Sequence, residues 1–519
     1  MDFFNSREFS LKTRILIRKY HVPGLAIAIV HNDTTASKAF GMASFDPPKP
    51  MTADTLLDIA SASKSLTAAS VALLVNDENY PDVTYEAEMA TLLPDDFVMP
   101  GQGCYQGVTV EDILSHRSGM ASHDNSYLGV RSNNPDTAQS VTRNLRNLAP
   151  AAPIRSKFIY SNIMFAVASY LVEKKTGLTF ANFLQKHFFR PLRMISSTLQ
   201  PGGARNRGLG YRISPGHWWD HKTNKYSTFM TPDFPEAQGA GSIVTSVNDY
   251  IKYVKALMNQ EEPFTEDVYE GLIRPRIIIS PDEAPRPFSS PPLYATGWEV
   301  HHYRGHMFII HDGCISGSSS SHFFVPDFKF GAVIMCNSDS GSLVADILVQ
   351  TFLDELLSVP QDQRVDWDEV LYEMSPEKKV HDEEEQIEEE RQRLCPGIKV
   401  PEPQTMPLDA YTGEYRNPGW GRLAVQVKRD ALFIDCTDRS YVFTLNFQHV
   451  SGQDKYIVLY REVTQGPSVP LRAEFTLEND VATRLGIAFD EDLDDYIWFD
   501  KVDDVGGESL MSHPKVTPA

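Results

Sequence analysis

The chain has little cysteine: five in 519 residues, at positions 104, 314, 336, 395 and 436. The number is odd, and the positions are scattered without paired spacing. This argues against a disulfide framework and a cysteine zinc site, and suits a reduced, cytoplasmic protein. No apolar run approaches the roughly 20 residues of a membrane-spanning helix. The opening stretch, MDFFNSREFSLKTRILIRKY, is charged and amphipathic and lacks the apolar centre and small-residue cleavage site of a secretory signal. Positive charge is in deficit: 48 Lys and Arg against 69 Asp and Glu leave a formal net charge of −21. That argues against nucleic acid and anionic membranes as partners. His217 and His221 flank Trp218 and Trp219, but no ligand set completes them. They read as loop residues, and no metal or cofactor is expected.

What is present centres on residues 56–74, LLDIASASKSLTAASVALL. Leu57 and Ile59 lead into Ser61, and Lys64 follows three residues later. Leu66, Ala69 and Leu73 recur at helical spacing, while Val71, Leu74 and Val75 cover other faces. A helix this apolar is a buried one. It therefore carries a serine and a lysine into the interior at its start. Positions i and i+3 share a helix face, so Ser61 and Lys64 can meet. Burial favours the neutral amine, which can take a serine proton. The S-x-x-K spacing occurs at Ser61, Ser375 and Ser512. Ser375 is followed by Pro376 and charged residues, and Ser512 lies in the C-terminal tail. Only Ser61 has the buried-helix setting. The alternative is a helix-capping Ser61 and a snorkelling Lys64.

Residues 7–20 have helical spacing, with Leu11, Ile15 and Leu16 as the inward set. Leu25–Val30 reads as a buried strand and Ser37–Ser44 as a second. Residues 81–150 are helical and loop-rich, with a helix over Val110–His116 capped by Thr109. Another helix starts near residue 160 and ends at Gly177. Residues 201–235 are irregular and either line a pocket or form a surface loop. A helix follows Ser246, with Tyr250, Val254 and Leu257 inward. Residues 294–336 alternate strands and turns, and 342–357 form an apolar-faced helix. This order predicts an α+β fold, an antiparallel sheet flanked by helices with a helical region inserted, over residues 1–360. Residues 361–407 read as a charged linker or solvated helix. Strand runs at roughly ten-residue spacing predict a second, all-β barrel-like domain over 408–503. Residues 504–519 read as a tail.

A nucleophile also needs a second proton carrier and donors for the oxyanion. Tyr160-Ser161-Asn162 opens a helix, where a phenol and an amide can reach a pocket. The alternative is a buried tyrosine with a capping Ser or Asn. His311-Asp312-Gly313 ends an apolar strand, and Gly313 leaves room for a substrate backbone. The alternative there is an Asp-Gly turn.

The order and separations of these three motifs resemble the serine β-lactamase, penicillin-binding protein and D,D-peptidase superfamily, most closely its class C-like branch. VPGLAIAIV, ADTLLDIASASKSLTA, TVEDILSHRSGM, FIYSNIMFAVASYLVEKKTG, AGSIVTSVNDYIKYVKALM and GAVIMCNSD look like that family's segments, in its order, over roughly residues 7–357. LDAYTGEYRNPGWGRLAVQV resembles the lipocalin-like β domain appended to some of these hydrolases. The resemblance implies Ser61 as nucleophile and Lys64 as its base. It implies Tyr160 as proton shuttle to the leaving group, with Asn162 orienting Lys64 and the substrate amide. The oxyanion hole would be the backbone N–H groups of Ser61 and Cys314. His311 stands where many members carry the Lys of a Lys-Thr-Gly triplet. An imidazole is not a permanent cation, so carboxylate recognition by His311 would depend on pH.

The implied activity is a serine hydrolase acting on amide or ester bonds of a small-molecule or peptide substrate through a Ser61 acyl-enzyme. An acyltransferase would use the same residues, because only the final acceptor differs. A reading of another class is a catalytically silent binding or scaffold module, which a folded sample without acyl-transfer activity would favour. For the enzyme, the rate is expected to rise with pH as Lys64 loses its proton, and to fall as Tyr160 is titrated.

Overall fold

The strand Gly24–His31 explains why the first domain has two cores. Successive side chains of a strand point to opposite faces. Leu25, Ile27 and Ile29 lie on one face and Ala26, Ala28 and Val30 on the other, and all six are buried. A strand apolar on both faces needs cover on both sides. The computed structural model places it inside a nine-stranded antiparallel sheet. It describes all residues except 102, 104, 376, 377, 379–382, 463–465, 467 and 503–519. Cys104, Ser512 and the tail read from 504–519 lie outside the described residues.

Gly24–His31 pairs with Thr34–Phe45 on one side and Phe330–Cys336 on the other. Ser318–Val325, His306–Ile315 and Glu299–Tyr303 extend the sheet. The register sets His311 opposite His322 and Gly313 opposite Ser320. The helices Arg7–Lys19, Gly341–Leu356 and Trp367–Met374 bury Phe9, Leu348 and Trp367 in one cluster with Leu25 and Ile27. Lys64–Val75 and Val247–Met258 cover the other face, where Ala26 and Ala28 join the larger core. This is the α+β arrangement expected from the sequence.

Two local expectations are corrected. In Arg7–Lys19, Leu11 and Ile15 are 57% and 55% exposed, and the buried stripe is Phe9, Thr13, Leu16 and Ile17. Phe9 sets the helix's rotation by packing on Phe4 and Phe352, at ring-centroid distances of 5.2 and 5.4 Å. Residues 201–235 are not uniformly irregular. They hold the helix Pro201–Asn206 and a hairpin of Gly216–Asp220 with Lys225–Phe229. His217 is thus a buried strand residue, its Nδ1 2.9 Å from Thr228 Oγ1.

The C-terminal domain is a closed antiparallel barrel of eight strands, from Gly413–Asn417 to Ile497–Lys501. Pairing of Tyr415 with Lys501 closes it. Between the domains, Trp367 and Leu371 are buried against the first core, and Lys19 Nζ donates to Asp368 at 2.8 Å. Glu383–Leu394 lies on the barrel, with Glu390 3.1 Å from Arg472. Ser375 ends the helix Trp367–Met374 and donates to the Tyr372 carbonyl at 2.8 Å, an ordinary helix-end contact. Among the described residues no helix is long and apolar enough to cross a membrane.

Candidate active site

Ser61 lies in the single turn Ala60–Ser63, and Lys64 begins the helix Lys64–Val75. Ala60 has φ 48°, a left-handed conformation that costs an L-residue about 1–2 kcal/mol. Its neighbours hold it there. Asp58 Oδ1 accepts from the Ala60 N–H at 2.8 Å, and Ser63 Oγ accepts from the Ile243 N–H at 3.1 Å. The turn leaves Ser61 half-buried at a cavity wall while Lys64 is 0% exposed. The amine therefore does not snorkel to water.

Lys64 Nζ is 3.0 Å from Ser61 Oγ. It also donates to Asn162 Oδ1 at 2.7 Å and to the Ala240 carbonyl at 2.9 Å. Those two oxygens can only accept. A neutral amine has two hydrogens, and both are taken by them. Its lone pair is then left facing Ser61. Burial lowers Lys64 to about 7, with the Asp124 charge pulling the other way. Much of the amine is therefore neutral at physiological pH.

Asn162 opens the helix Asn162–Thr176, which Gly177 ends at φ 69°. The Nδ2 of Asn162 donates to Asp124 Oδ2 at 2.9 Å. The Tyr160 phenol ring lies beside Nζ, 4.6 Å to its centroid. Burial drives that phenol well above its ordinary value. His116 backs the ring at 4.2 Å between centroids, and its Nδ1 accepts the Ser161 N–H at 3.0 Å.

His311 and Gly313 lie within the strand His306–Ile315, so they form no Asp-Gly turn. His311 is buried. Its Nδ1 donates to the Asp312 carbonyl at 2.7 Å, and its Nε2 accepts from the Tyr294 hydroxyl at 2.9 Å. Burial lowers it to about 4, so the ring is neutral. With both nitrogens engaged and no charge, it is not placed to hold a substrate carboxylate. Gly313 also differs from expectation. A Cβ there would fall 2.0 Å from the Ile59 carbonyl oxygen and 2.9 Å from Ala62 N. The close approach that needs glycine is the protein's own Ser61 turn against the strand, not a substrate backbone. Cys314, the next residue, lines the cavity with Ser61.

That cavity also takes in Asp124, Asn162, Phe234 and Tyr441. Two of these escape a reading of the sequence. Asp124 opens the single turn Asp124–Ser126, 38 residues before Asn162. It is half-buried at the cavity wall, and loss of solvent raises its carboxyl to about 6 against the Asn162 hydrogen bond and the Lys64 charge. No periodic pattern marks it. Tyr441 comes from the barrel, and nothing local in its sequence points across a domain boundary.

This sheet, flanked on both faces by helices and carrying a Ser–Lys pair at the head of a buried helix, has the architecture of β-lactamase-related serine hydrolases. The chain belongs to the beta-lactamase family, whose model matches residues 11–350. A domain of unknown function, DUF3471, matches residues 398–501 and forms the barrel. The chain is 31% identical over 505 residues to an unguisins hydrolase of Aspergillus campestris, covering 96% of this chain and 92% of that one. The solved octameric penicillin-binding protein homologue from Pyrococcus abyssi aligns with a TM-score of 0.60 at 18% identity, over 95% of this chain and 100% of that one. The D-amino acid amidase from Ochrobactrum anthropi aligns with a TM-score of 0.53 at 22% identity, over 68% and 98%. The chain is a hydrolase of the β-lactamase-related type.

Proposed function

We propose that the protein hydrolyses internal amide bonds of peptides through an acyl-enzyme on Ser61. Neutral Lys64 takes the Ser61 proton as Oγ attacks the carbonyl. The oxyanion rests between the backbone N–H groups of Ser61 and Cys314. Tyr160, beside Nζ, passes the proton to the departing amine. Water then attacks the ester by the reverse relay, releasing the acid and restoring the Ser61 hydroxyl. The observation that carries this reading is the amine geometry. Both hydrogens of a neutral Lys64 are committed to acceptors, and Ser61 lies at its third position.

Two observations support an internal bond in a peptide. Among the described residues neither Lys nor Arg lines the cavity, and His311 is neutral, so these residues offer no fixed cation to a terminal carboxylate. The similarity to an unguisins hydrolase covers both domains. The test is Lys64→Arg. Arginine remains protonated and cannot serve as base. The variant is expected to lose about 10²–10⁴ in kcat/KM on a blocked peptide, with its thermal melt retained. A folded variant within about threefold of wild type, far short of that range, would refute Lys64 as the base.

A further inference from the structure

The cavity beside Ser61 is not built by the first domain alone. The turn between the barrel strands Ala431–Cys436 and Phe443–Ser451 enters it, and Ser440 and Tyr441 form part of its wall. The turn is fastened to the loop that carries Asp124. The Ser440 N–H donates to the Tyr127 carbonyl at 3.1 Å, and the Gly129 N–H donates to the Asp438 carbonyl at 2.9 Å. Arg439, only 2% exposed, donates to the Ser126 carbonyl at 2.9 Å. A Cβ at Gly129 would fall 2.9 Å from the Arg439 carbonyl oxygen, so the backbones meet as closely as they can. Ser440 Oγ donates to the buried Glu236 of the first domain. Held in this way the turn is in place before a ligand arrives, which removes an ordering cost from binding. Tyr441 faces Phe234, another lining residue, with ring centroids 6.3 Å apart.

We propose that Tyr441 is a specificity-determining residue that the barrel contributes to the site. With Phe234 it forms an aromatic wall for a large apolar side chain on the acyl-donating residue of the substrate. The proposal rests on the acyl-enzyme reading. The acyl portion stays bonded to Ser61 between the two steps, so a pocket closed around Ser61 holds that portion longest. Aromatic side chains bury a large area and pair favourably edge-to-face or offset.

The test reads binding, not turnover, in full-length Ser61→Ala. Calorimetry compares N-acetylphenylalaninamide with N-acetylalaninamide, each in both enantiomers. For at least one enantiomer the phenyl ligand should bind roughly tenfold or more tightly, the discrimination an apolar pocket supplies. Adding Tyr441→Ala, or Phe234→Ala, should reduce that preference below about threefold, whereas Tyr441→Phe should keep it. The proposal is overturned if no preference exists, or if it survives in whichever of Tyr441→Ala and Phe234→Ala still melts cooperatively. The two positions lie in different domains, so one unfolded variant leaves the other to decide. A failure of the acyl-enzyme reading appears separately, as absence of an acyl group on Ser61 in wild type.

Discussion

Asp124 accepts a hydrogen bond from Asn162 Nδ2 at 2.9 Å, and this decides which end of the Asn162 amide meets Lys64. With Nδ2 committed, Oδ1 faces Nζ and takes one of its hydrogens. The loop that carries Asp124 is itself held by the barrel. The His123 N–H donates to Asp490 Oδ2 at 2.9 Å, and Trp420 Nε1 donates to His123 Nδ1 at 3.3 Å. The second domain thus bears on Lys64 through three successive contacts.

Asp124→Asn separates hydrogen bond from charge. Asparagine still offers an oxygen to Asn162 Nδ2 but removes the negative charge that raises Lys64. The acid limb of kcat/KM should therefore move to lower pH, by up to about one unit. Asp124→Ala instead leaves the Asn162 N–H without its partner, a loss of about 1 kcal/mol, or roughly fivefold in rate. An acid limb unmoved in a folded Asp124→Asn protein would contradict the electrostatic link.

The pH profile should have one limb, not two. Lys64 lies at about 7 in the folded protein, so kcat/KM should rise through neutrality as the amine loses its proton and then level off. The fall expected from Tyr160 should be missing from the usable range, because burial pushes its phenol upward from an ordinary 10.0. Tyr160→Phe should lower kcat/KM by about 10²-fold without moving the Lys64 limb. An alkaline fall below about pH 9.5 that vanishes in Tyr160→Phe would show that the phenol does titrate there.

Gly313→Ala probes the contact between strand and turn. The added Cβ would overlap the Ile59 carbonyl oxygen at 2.0 Å, and the obstructing atom is backbone. Overpacking of this kind typically costs about 1–3 kcal/mol. Because the turn carries Ser61, acylation should fall together with thermal stability. A variant with wild-type melting and acylation would mean that the turn shifts freely.

The main architecture was legible because its signals are local. The all-apolar Leu25–Val30 run marks a strand covered on both faces, and the apolar surround of Ser61 and Lys64 marks a buried helix. The structure brings Ser61, Lys64, Tyr160 and Asn162 to one place. What the chain text hid depends on long-range packing. Leu11 and Ile15 fit an amphipathic stripe as well as Phe9 and Thr13 do, and the packing of Phe9 on Phe4 and on Phe352, far along the chain, decides the helix's rotation. His311 looks like a substitute for a cation until Tyr294 and the Asp312 carbonyl occupy its nitrogens. Gly313 reads equally as room for a ligand or room for the protein, and Ile59 settles it. Asp124 and Tyr441 join the cavity through a domain contact that no spacing rule encodes.

The central claim is an acyl group on Ser61. Peptide mass spectrometry of wild-type protein quenched in acid during turnover of a blocked peptide or an ester tests it most directly. The account predicts the mass of the acyl fragment on the tryptic peptide that contains Ser61, and neither adduct nor turnover in Ser61→Ala. An acyl group carried by another residue, or undiminished turnover in Ser61→Ala, would contradict it.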